Sequence, residues 1–334
     1  MVTTHVVVTG GSGFLGQQFI AALLASQGLP LGPDGATVPI ESITAFDTGP
    51  SALTDPRLDS IVGDIADAGQ VARLVGPDTA LVVHLAAVVS GTAEADFDLG
   101  LRVNIDGTRA VLEACRAAGT VPRVLFPSSV AVFGGDLPDV VTDATNPTPQ
   151  SSYGTHKRIG ELLVQDYTRK GFIDGRSVRI PTVAVRPGTP NGAASGFASS
   201  IIREPLAGIE ARLPVDPSTV MWVASPRAVV GMMLHAVSLP AAAWGWDRCL
   251  NLPGLSVSMQ QELDALRAVS PEAAALVRHE VDPAVAAVVT TWATRFNTAR
   301  AIAMGFPADT DFAAVVAAYI EDNPHSVRLI ALRS

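Results

Sequence analysis

Lysine is almost missing from this chain: among its 23 basic residues only Lys157 and Lys170 are lysines. Cysteine is as scarce. Cys115 and Cys249 both lie in apolar stretches, which excludes a disulfide framework and points to buried free thiols in a reducing cytoplasm. Basic charge is in deficit as well, and a formal net charge of −9 argues against nucleic acid as the main partner. A membrane span is not expected either. Residues 228–246 carry no ionisable side chain other than His235, but Pro240 interrupts the run, and Ser238 and Gly245 add turn character. A core helix followed by a loop is the expectation there. The N-terminus enters a strand-like Val6-Val7-Val8 at once, so no secretory leader is expected. There is no internal repeat, no low-complexity run and no cluster of His, Cys, Asp or Glu with metal-ligand spacing.

What remains is a globular chain of 334 residues, 48% apolar and 16% charged. That is enough for one large domain or two coupled ones. The chemistry centres on Tyr153-Gly154-Thr155-His156-Lys157. Four residues are about one helical turn, so the phenol and the ammonium emerge on one face. A phenol is a poor base at neutral pH, and a nearby fixed positive charge favours its phenolate. Such a pair can take the proton of an alcohol whose hydride goes to an acceptor. Taken alone, the spacing also describes a solvated helix face.

Upstream lies the place for the acceptor. A short apolar strand at residues 5–9 runs into Gly10-Gly11-Ser12-Gly13-Phe14-Leu15-Gly16, followed by a helix with Leu15, Phe19 and Leu23 at four-residue spacing. This order of strand, glycine turn and helix binds a pyrophosphate. Gly10 permits the turn, Gly13 lets phosphates approach the backbone, and Gly16 lets the helix pack on the sheet. The helix N-terminus offers its N–H groups to the anion. Residues 28–41, rich in glycine and proline, read as an inserted surface loop. The second strand, Ser42 to Phe46, ends at Asp47. A carboxylate there accepts from the ribose hydroxyls and repels a 2′-phosphate, and no arginine follows at once, which favours NAD over NADP.

Further along, Asp64 and Ile65 follow a third strand. Asp64 either meets the adenine amino group, with Ile65 on the ring, or caps a helix at residues 66–75. Strand four, Ala80 to His84, leads into Leu85-Ala86-Ala87, small enough for a flat cofactor to lie on the backbone. His84 reads as a satisfied structural histidine. Phe97 to Ala118 reads as one long helix with Leu101, Ile105, Leu112 and Cys115 on a stripe and Asn104 inside it. Asn104 either bridges backbone and water near the site or faces solvent. Strand five, Arg123 to Phe126, delivers Ser128 and Ser129; Ser129 is placed to hydrogen-bond a reacting hydroxyl. A strand from Ser177 to Val185 ends the regular alternation. The small-residue loop that follows, a short helix at residues 201–204 and a strand at 220–223 mark a substrate lobe.

The order glycine turn, Asp47, Ser129, Tyr153, Lys157 resembles the extended short-chain dehydrogenase/reductase superfamily (the NAD-dependent epimerase/dehydratase family). The run Arg179 to Asn191, continuing through Ser195 to Leu206, more narrowly resembles bacterial D-erythronate dehydrogenases. The resemblance implies an α/β fold: a doubly wound parallel-sheet Rossmann domain, residues 1–187 and 223–252, with a smaller α+β C-terminal substrate lobe, residues 188–222 and 253–334. It implies Tyr153 as general base, Lys157 on the nicotinamide ribose, Ser129 orienting the substrate, and Asn104 as the family's helix asparagine, with NAD as cofactor. It implies oxidation of the C2 hydroxyl of a four-carbon sugar acid. The acid's carboxylate wants an arginine or hydroxyl and amide donors. Ser90, which resembles a substrate-contacting serine of short-chain threonine dehydrogenases, and Asn191, Ser195 and Arg203 are the candidates. Arg179 and Arg186 are weighed as structural partners of the acid-rich surface. A homodimer through the helices at residues 97–118 and 151–170 is expected from the same likeness.

Three other readings share these residues. A sugar-nucleotide epimerase or reductase would need room and positive charge for a diphosphate, which the loop at residues 188–198 does not supply. A threonine 3-dehydrogenase-like enzyme would use the same trio. A non-catalytic NAD sensor would be expected to lose the tyrosine or the lysine, and both are kept.

Overall fold

The computed structural model describes residues 4–31, 35–188 and 194–329. Its strands, in chain order, are β1 (His5–Thr9), β2 (Ser42–Asp47), β3 (Leu58–Val62), β4 (Thr79–His84), β5 (Arg123–Ser129), β6 (Asp174–Ile180), β7 (Thr182–Val183), β8 (Ala211–Leu213), β9 (Val220–Ala224), β10 (Cys249–Asn251), β11 (Leu255–Ser258) and β12 (Val277–His279). Seven of them form one parallel sheet in the order β3-β2-β1-β4-β5-β6-β10. The order reverses between β1 and β4, and at such a switch point the connecting loops part to leave a crevice at the strands' carboxyl ends.

Both faces of this sheet are covered, as a parallel sheet requires. The period of two along β1 sorts its valines. Val6 and Val8 enter one layer with Phe19 and Leu23 of α1 (Phe14–Ala25) and Val229 and Met233 further on. Val7 enters the other with Val111 and Cys115. All three valines are fully buried, each worth about 1.5–3 kcal/mol against exposure. The loop at residues 28–41 is less peripheral than its composition suggests, since Leu29 and Ile40 join the first layer.

The helices that frame the crevice follow: α2 (Ala68–Val71), α3 (Ser90–Ala95), α4 (Phe97–Leu101), α5 (Gly107–Ala118), α6 (Ser152–Arg169), α7 (Phe197–Leu206) and α8 (Pro226–Ser238). Two sequence expectations fail here. The helix expected at residues 66–75 shrinks to α2, and its cap is Asp67, which accepts from Gly69 and Gln70. The single stripe expected from Phe97 to Ala118 is broken, because residues Arg102–Asp106 form a π-helical turn between α4 and α5. A π turn inserts a residue and rotates what precedes it. Leu101 is thereby left exposed while Asn104 turns inward, 4% exposed.

The strand expected from Ser177 to Val185 is also two strands. Pro181 has no N–H to give the ladder, so the chain leaves the central sheet after Ile180, and β7 pairs with β9 instead. β7, β9 and β11 make a second, three-stranded sheet. Its core gathers Val185, Ile201, Leu206, Val223, Val257 and Val316. Ala301 and Phe306 instead pack with the central sheet. Cys115 and Cys249 are free and buried, and burial pushes both thiols up to about 12. Among the described residues no helix is long and apolar enough to cross a membrane.

Candidate active site

The glycine turn and the end of β4 meet across the switch point. Gly10 has φ +71°, and a Cβ there would stand 2.6 Å from the Ala86 nitrogen. The two loops therefore approach backbone to backbone, with Leu85, Ala86 and Ala87 half-buried beside the turn. Gly16 is buried under the turn, where a Cβ would overlap the Gly10 carbonyl. Gly13 caps α1 with no side-chain hydrogen bond, and it is exposed, with Phe14 and Leu15 half-buried behind it. A Cβ on Gly13 would meet only the Gly10 carbonyl, at 3.2 Å. The helix thus ends in N–H groups that no side chain caps, open on the side from which a pyrophosphate would come. Asp47 ends β2 and steadies this turn, accepting from the Ser12 N–H at 3.0 Å and the Thr48 N–H at 2.7 Å.

Two of the expected adenine contacts are engaged elsewhere. Asp64 accepts from the Ala66 N–H and is ion-paired with Arg102 at 3.0 Å. Ile65 is buried in the core, facing Gly107. Most of the Ile65 side chain is therefore spent on packing and not available to a ring.

β5 and α6 carry Ser129, Tyr153 and Lys157. Ser151 caps α6, which brings Tyr153 into its first turn, half-buried. Burial pushes the Tyr153 phenol up to about 12; a hydrogen bond from Ser129 and the charge of Arg186 oppose that rise. Ser129 stands at the end of β5 with its oxygen accepting from the Ala131 N–H at 3.1 Å, so its hydroxyl proton is free to point at the phenol. Lys157 is buried, 5% exposed. Its ammonium donates to the Pro127 carbonyl at 2.8 Å and lies 5.7 Å from the centre of the Tyr153 ring. Burial lowers Lys157 to about 8, against the charge of Glu161. In the protein by itself Ser129 and Arg186 oppose the rise of the phenol, while the Lys157 ammonium, over the ring, also donates to a backbone carbonyl.

Asn104 is turned inward. Its amide closes on the Val88 peptide from both sides, accepting from the N–H at 2.9 Å and donating to the carbonyl at 3.1 Å, and it also meets His156 Nδ1 at 3.3 Å. These bonds hold the loop that follows β4, which leads to Ser90 at the start of α3. The π turn is what aims Asn104 there. His84 is structural, as expected: Thr9 and Thr108 hydroxyls meet its two ring nitrogens at 2.7 and 3.0 Å, and burial lowers it to about 3.

Among the carboxylate candidates, Ser90 and Ser195 are half-buried, and Asn191 lies outside the described residues. Arg203 is a correction. It donates to the Arg186 carbonyl at 2.7 Å and to Glu204 at 2.6 Å, so its fork is used within the fold. What it holds is Arg186, whose N–H is held in turn by the Ser199 hydroxyl at 3.0 Å. Arg186 is the guanidinium whose charge reaches the Tyr153 phenol. The sequence treated it as a surface partner, although its place directly after a strand, before Pro187-Gly188, was a signal.

The model of the NAD dependent epimerase/dehydratase family matches residues 6–221. The chain belongs to that family. It is an NAD-dependent oxidoreductase, and the open helix N-terminus, the glycine turn and Asp47 fit the cofactor. Over 320 residues, 95% of this chain and 98% of the relative, it is 51% identical to a D-erythronate dehydrogenase of Cupriavidus necator. It is 41% identical to a D-erythronate dehydrogenase of Haemophilus influenzae, over 95% of this chain and 98% of that one. A crystal structure of a nucleoside-diphosphate-sugar epimerase from Agrobacterium tumefaciens superposes with a TM-score of 0.90 at 40% identity, covering 97% of this chain and 95% of the other. Within the family fold, the crevice at the carboxyl ends of β1 and β4 is where the dinucleotide belongs.

Proposed function

We propose that this enzyme oxidises the C2 hydroxyl of D-erythronate, with NAD as hydride acceptor, to give 2-oxo-tetronate. The observation that carries the reading is the grouping of a phenol, a serine hydroxyl and a guanidinium at one end of the sheet, in a chain 51% identical to a protein named for that reaction. The substrate hydroxyl lies between Ser129 and Tyr153. Ser129 would orient it and Tyr153 would take its proton. NAD, when bound, supplies the ring that accepts the C2 hydride. Gly10, Gly13, Phe14, Leu15 and Gly16 would hold its pyrophosphate, Asp47 its adenosine ribose, Leu85, Ala86 and Ala87 its flat face, and Lys157 its second ribose. Arg186 meets the substrate carboxylate, with Ser90, Ser195 and Asn191 as further polar contacts.

The exposed apolar side chains Phe97 and Leu101 on α4 and Leu162 on α6 support a homodimer built on those helices. The two inert buried thiols support a cytoplasmic setting.

The test is NADH absorbance with purified enzyme on D-erythronate, L-erythronate, both threonates, L-threonine and glycerate. Turnover on D-erythronate, lost in Tyr153→Phe, supports the reading. Turnover confined to threonine, or near wild-type turnover in Tyr153→Phe, overturns it. The name of the Agrobacterium structure keeps a second reading in view. Calorimetric binding of UDP, with NAD retained through purification, would favour a sugar-nucleotide substrate.

A further inference from the structure

The face of α6 that presents Tyr153 and Lys157 continues one turn further, to Glu161. That carboxylate is wholly buried. It accepts from the Ser128 hydroxyl at 2.6 Å, from Arg179 through Nε at 2.8 Å and Nη2 at 2.9 Å, and from Arg158 at 2.9 Å. Arg179 reaches on to Asn251 on β10 at 3.2 Å, and the Asn251 N–H donates to Asp143 at 2.8 Å. A sealed ion pair of this kind is weak grounds for stability, because desolvating two charges offsets most of their attraction and an apolar pair of similar volume often serves as well. The cluster calls for a different reason, and its contacts supply one. Pro127, Ser128 and Ser129 are consecutive at the end of β5. From α6, Lys157 takes the Pro127 carbonyl, Glu161 takes the Ser128 hydroxyl, and Tyr153 faces Ser129.

We propose that Glu161 is a positioning residue of the catalytic centre, one that fixes the end of β5 against α6 and supplies the carboxylate that keeps the buried Lys157 ammonium protonated. The role rests on the Tyr153–Lys157 chemistry proposed above but not on the identity of the substrate. Among the described residues the groups facing Lys157 are Tyr153 and Glu161 on α6, the Pro127 carbonyl and the Phe126 ring at 4.9 Å on β5, and His84 on β4, which burial and the lysine's own charge keep neutral. Around Glu161 stand Arg158 on α6, Ser128 on β5, Arg179 on β6 and the Cys249 thiol on β10. Against the effect of burial, the Arg179 fork and its neighbours hold Glu161 below the usual carboxylate range. Glu161 therefore carries its charge throughout the working pH range.

The scarcity of lysine makes the test direct. Protein labelled with ε-¹³C-lysine carries two signals, Lys157 and the exposed Lys170, and an NMR titration reads Lys157 without substrate or turnover. In Glu161→Gln the Lys157 midpoint is expected to fall by roughly one unit or more, with Lys170 unmoved. Because that variant strips Arg179 of its carboxylate partner and costs stability, the double variant Glu161→Gln/Arg179→Gln is measured beside it. It is expected to melt near the wild type yet to keep the lowered Lys157 midpoint, and its kcat on D-erythronate is expected to drop off at lower pH. A stably folded double variant with a wild-type Lys157 titration overturns the proposal. If D-erythronate is not turned over at all, the substrate reading fails while the lysine titration still decides this one.

Discussion

The Lys157 ammonium stands 5.7 Å from the centre of the Tyr153 ring and is held there by the Pro127 carbonyl at 2.8 Å. It lies over the ring face and its charge is partly spent on the backbone. Burial pushes the phenol up to about 12, so it is protonated at neutral pH in the protein alone. A protonated phenol also suits the reverse reaction, in which it returns the proton to the carbonyl oxygen. Tyr153→Phe is expected to lower kcat by roughly 10²–10⁴-fold. Lys157, lowered to about 8 by burial, loses its charge above that pH, so kcat/KM for the free enzyme is expected to fall on the alkaline side of about 8. A kcat/KM profile flat through pH 9 would show that the ammonium is not needed.

The glycine turn gives a prediction in which fold and cofactor separate. At Gly13 an added Cβ meets only a carbonyl at 3.2 Å, on an exposed face; at Gly16 it runs into the Gly10 carbonyl and the Gly11 Cα. Gly13→Ala is therefore expected to keep its melting temperature within a few degrees while NAD affinity drops by at least about tenfold, because the methyl stands where phosphates approach the helix end. Gly16→Ala is expected to lower both. Differential scanning fluorimetry with and without NAD reads the two quantities together, and equal cofactor shifts in Gly13→Ala and wild type would contradict the pyrophosphate assignment.

How much of this was legible beforehand depended on whether a residue's partner is local. The sheet was, because Val6-Val7-Val8 and its counterparts are continuous apolar runs whose turns carry their own glycine signal. The free thiols were legible from their apolar neighbours, and His84 from its place at the end of a buried strand, although its partners Thr9 and Thr108 are distant in sequence. The π turn was not. The Val, Asn, Ile and Asp of Arg102-Val103-Asn104-Ile105-Asp106 are only mildly unfavourable in a helix, and the contact that accompanies the extra residue, Asn104 on the Val88 peptide, lies 16 positions away. Nor was the division of labour between two arginines. In sequence Arg203 stands among the carboxylate candidates and Arg186 among the structural partners of the surface, and only the fold shows Arg203 spent on Glu204 and on the Arg186 carbonyl.

That division leads to a prediction about specificity. Arg186 has its backbone clamped on both sides by Ser199 and Arg203, so its guanidinium is presented on a fixed stem. If it meets the substrate carboxylate, a charge-assisted bond is lost in Arg186→Met, and KM for D-erythronate is expected to rise roughly 10- to 100-fold. NAD affinity should hold. The uncharged erythronamide should lose little, so the acid-to-amide preference collapses in the variant. A KM for D-erythronate that stays within about twofold of wild type would move the carboxylate to the serines. Arg203→Met is expected to harm stability more than KM, since it leaves Glu204 unpaired next to a buried turn.

A helix packed with the core of the three-stranded sheet carries a group that the proposed chemistry does not use. Glu262, in the helix Met259–Val269, is wholly buried, and neither of its carboxyl oxygens has a partner among the described residues. Burial raises its pKa well above the usual carboxylate range, so it stays neutral where other acids ionise. The sign follows from linkage. With the folded pKa above the unfolded value of about 4.3, the stability this group permits is complete below about pH 4.3 and is lost as pH climbs toward the folded pKa, since the unfolded chain releases a proton that the folded one keeps. The slope is up to about 1.4 kcal/mol per pH unit. Glu262→Met fills the same space without an orphaned polar group and is expected to stabilise the protein at pH 8 by about 1–3 kcal/mol, with the gain shrinking toward pH 4. Urea unfolding of both proteins at several pH values checks this. Parallel curves across that range would mean that Glu262 finds a partner or water in solution and titrates normally.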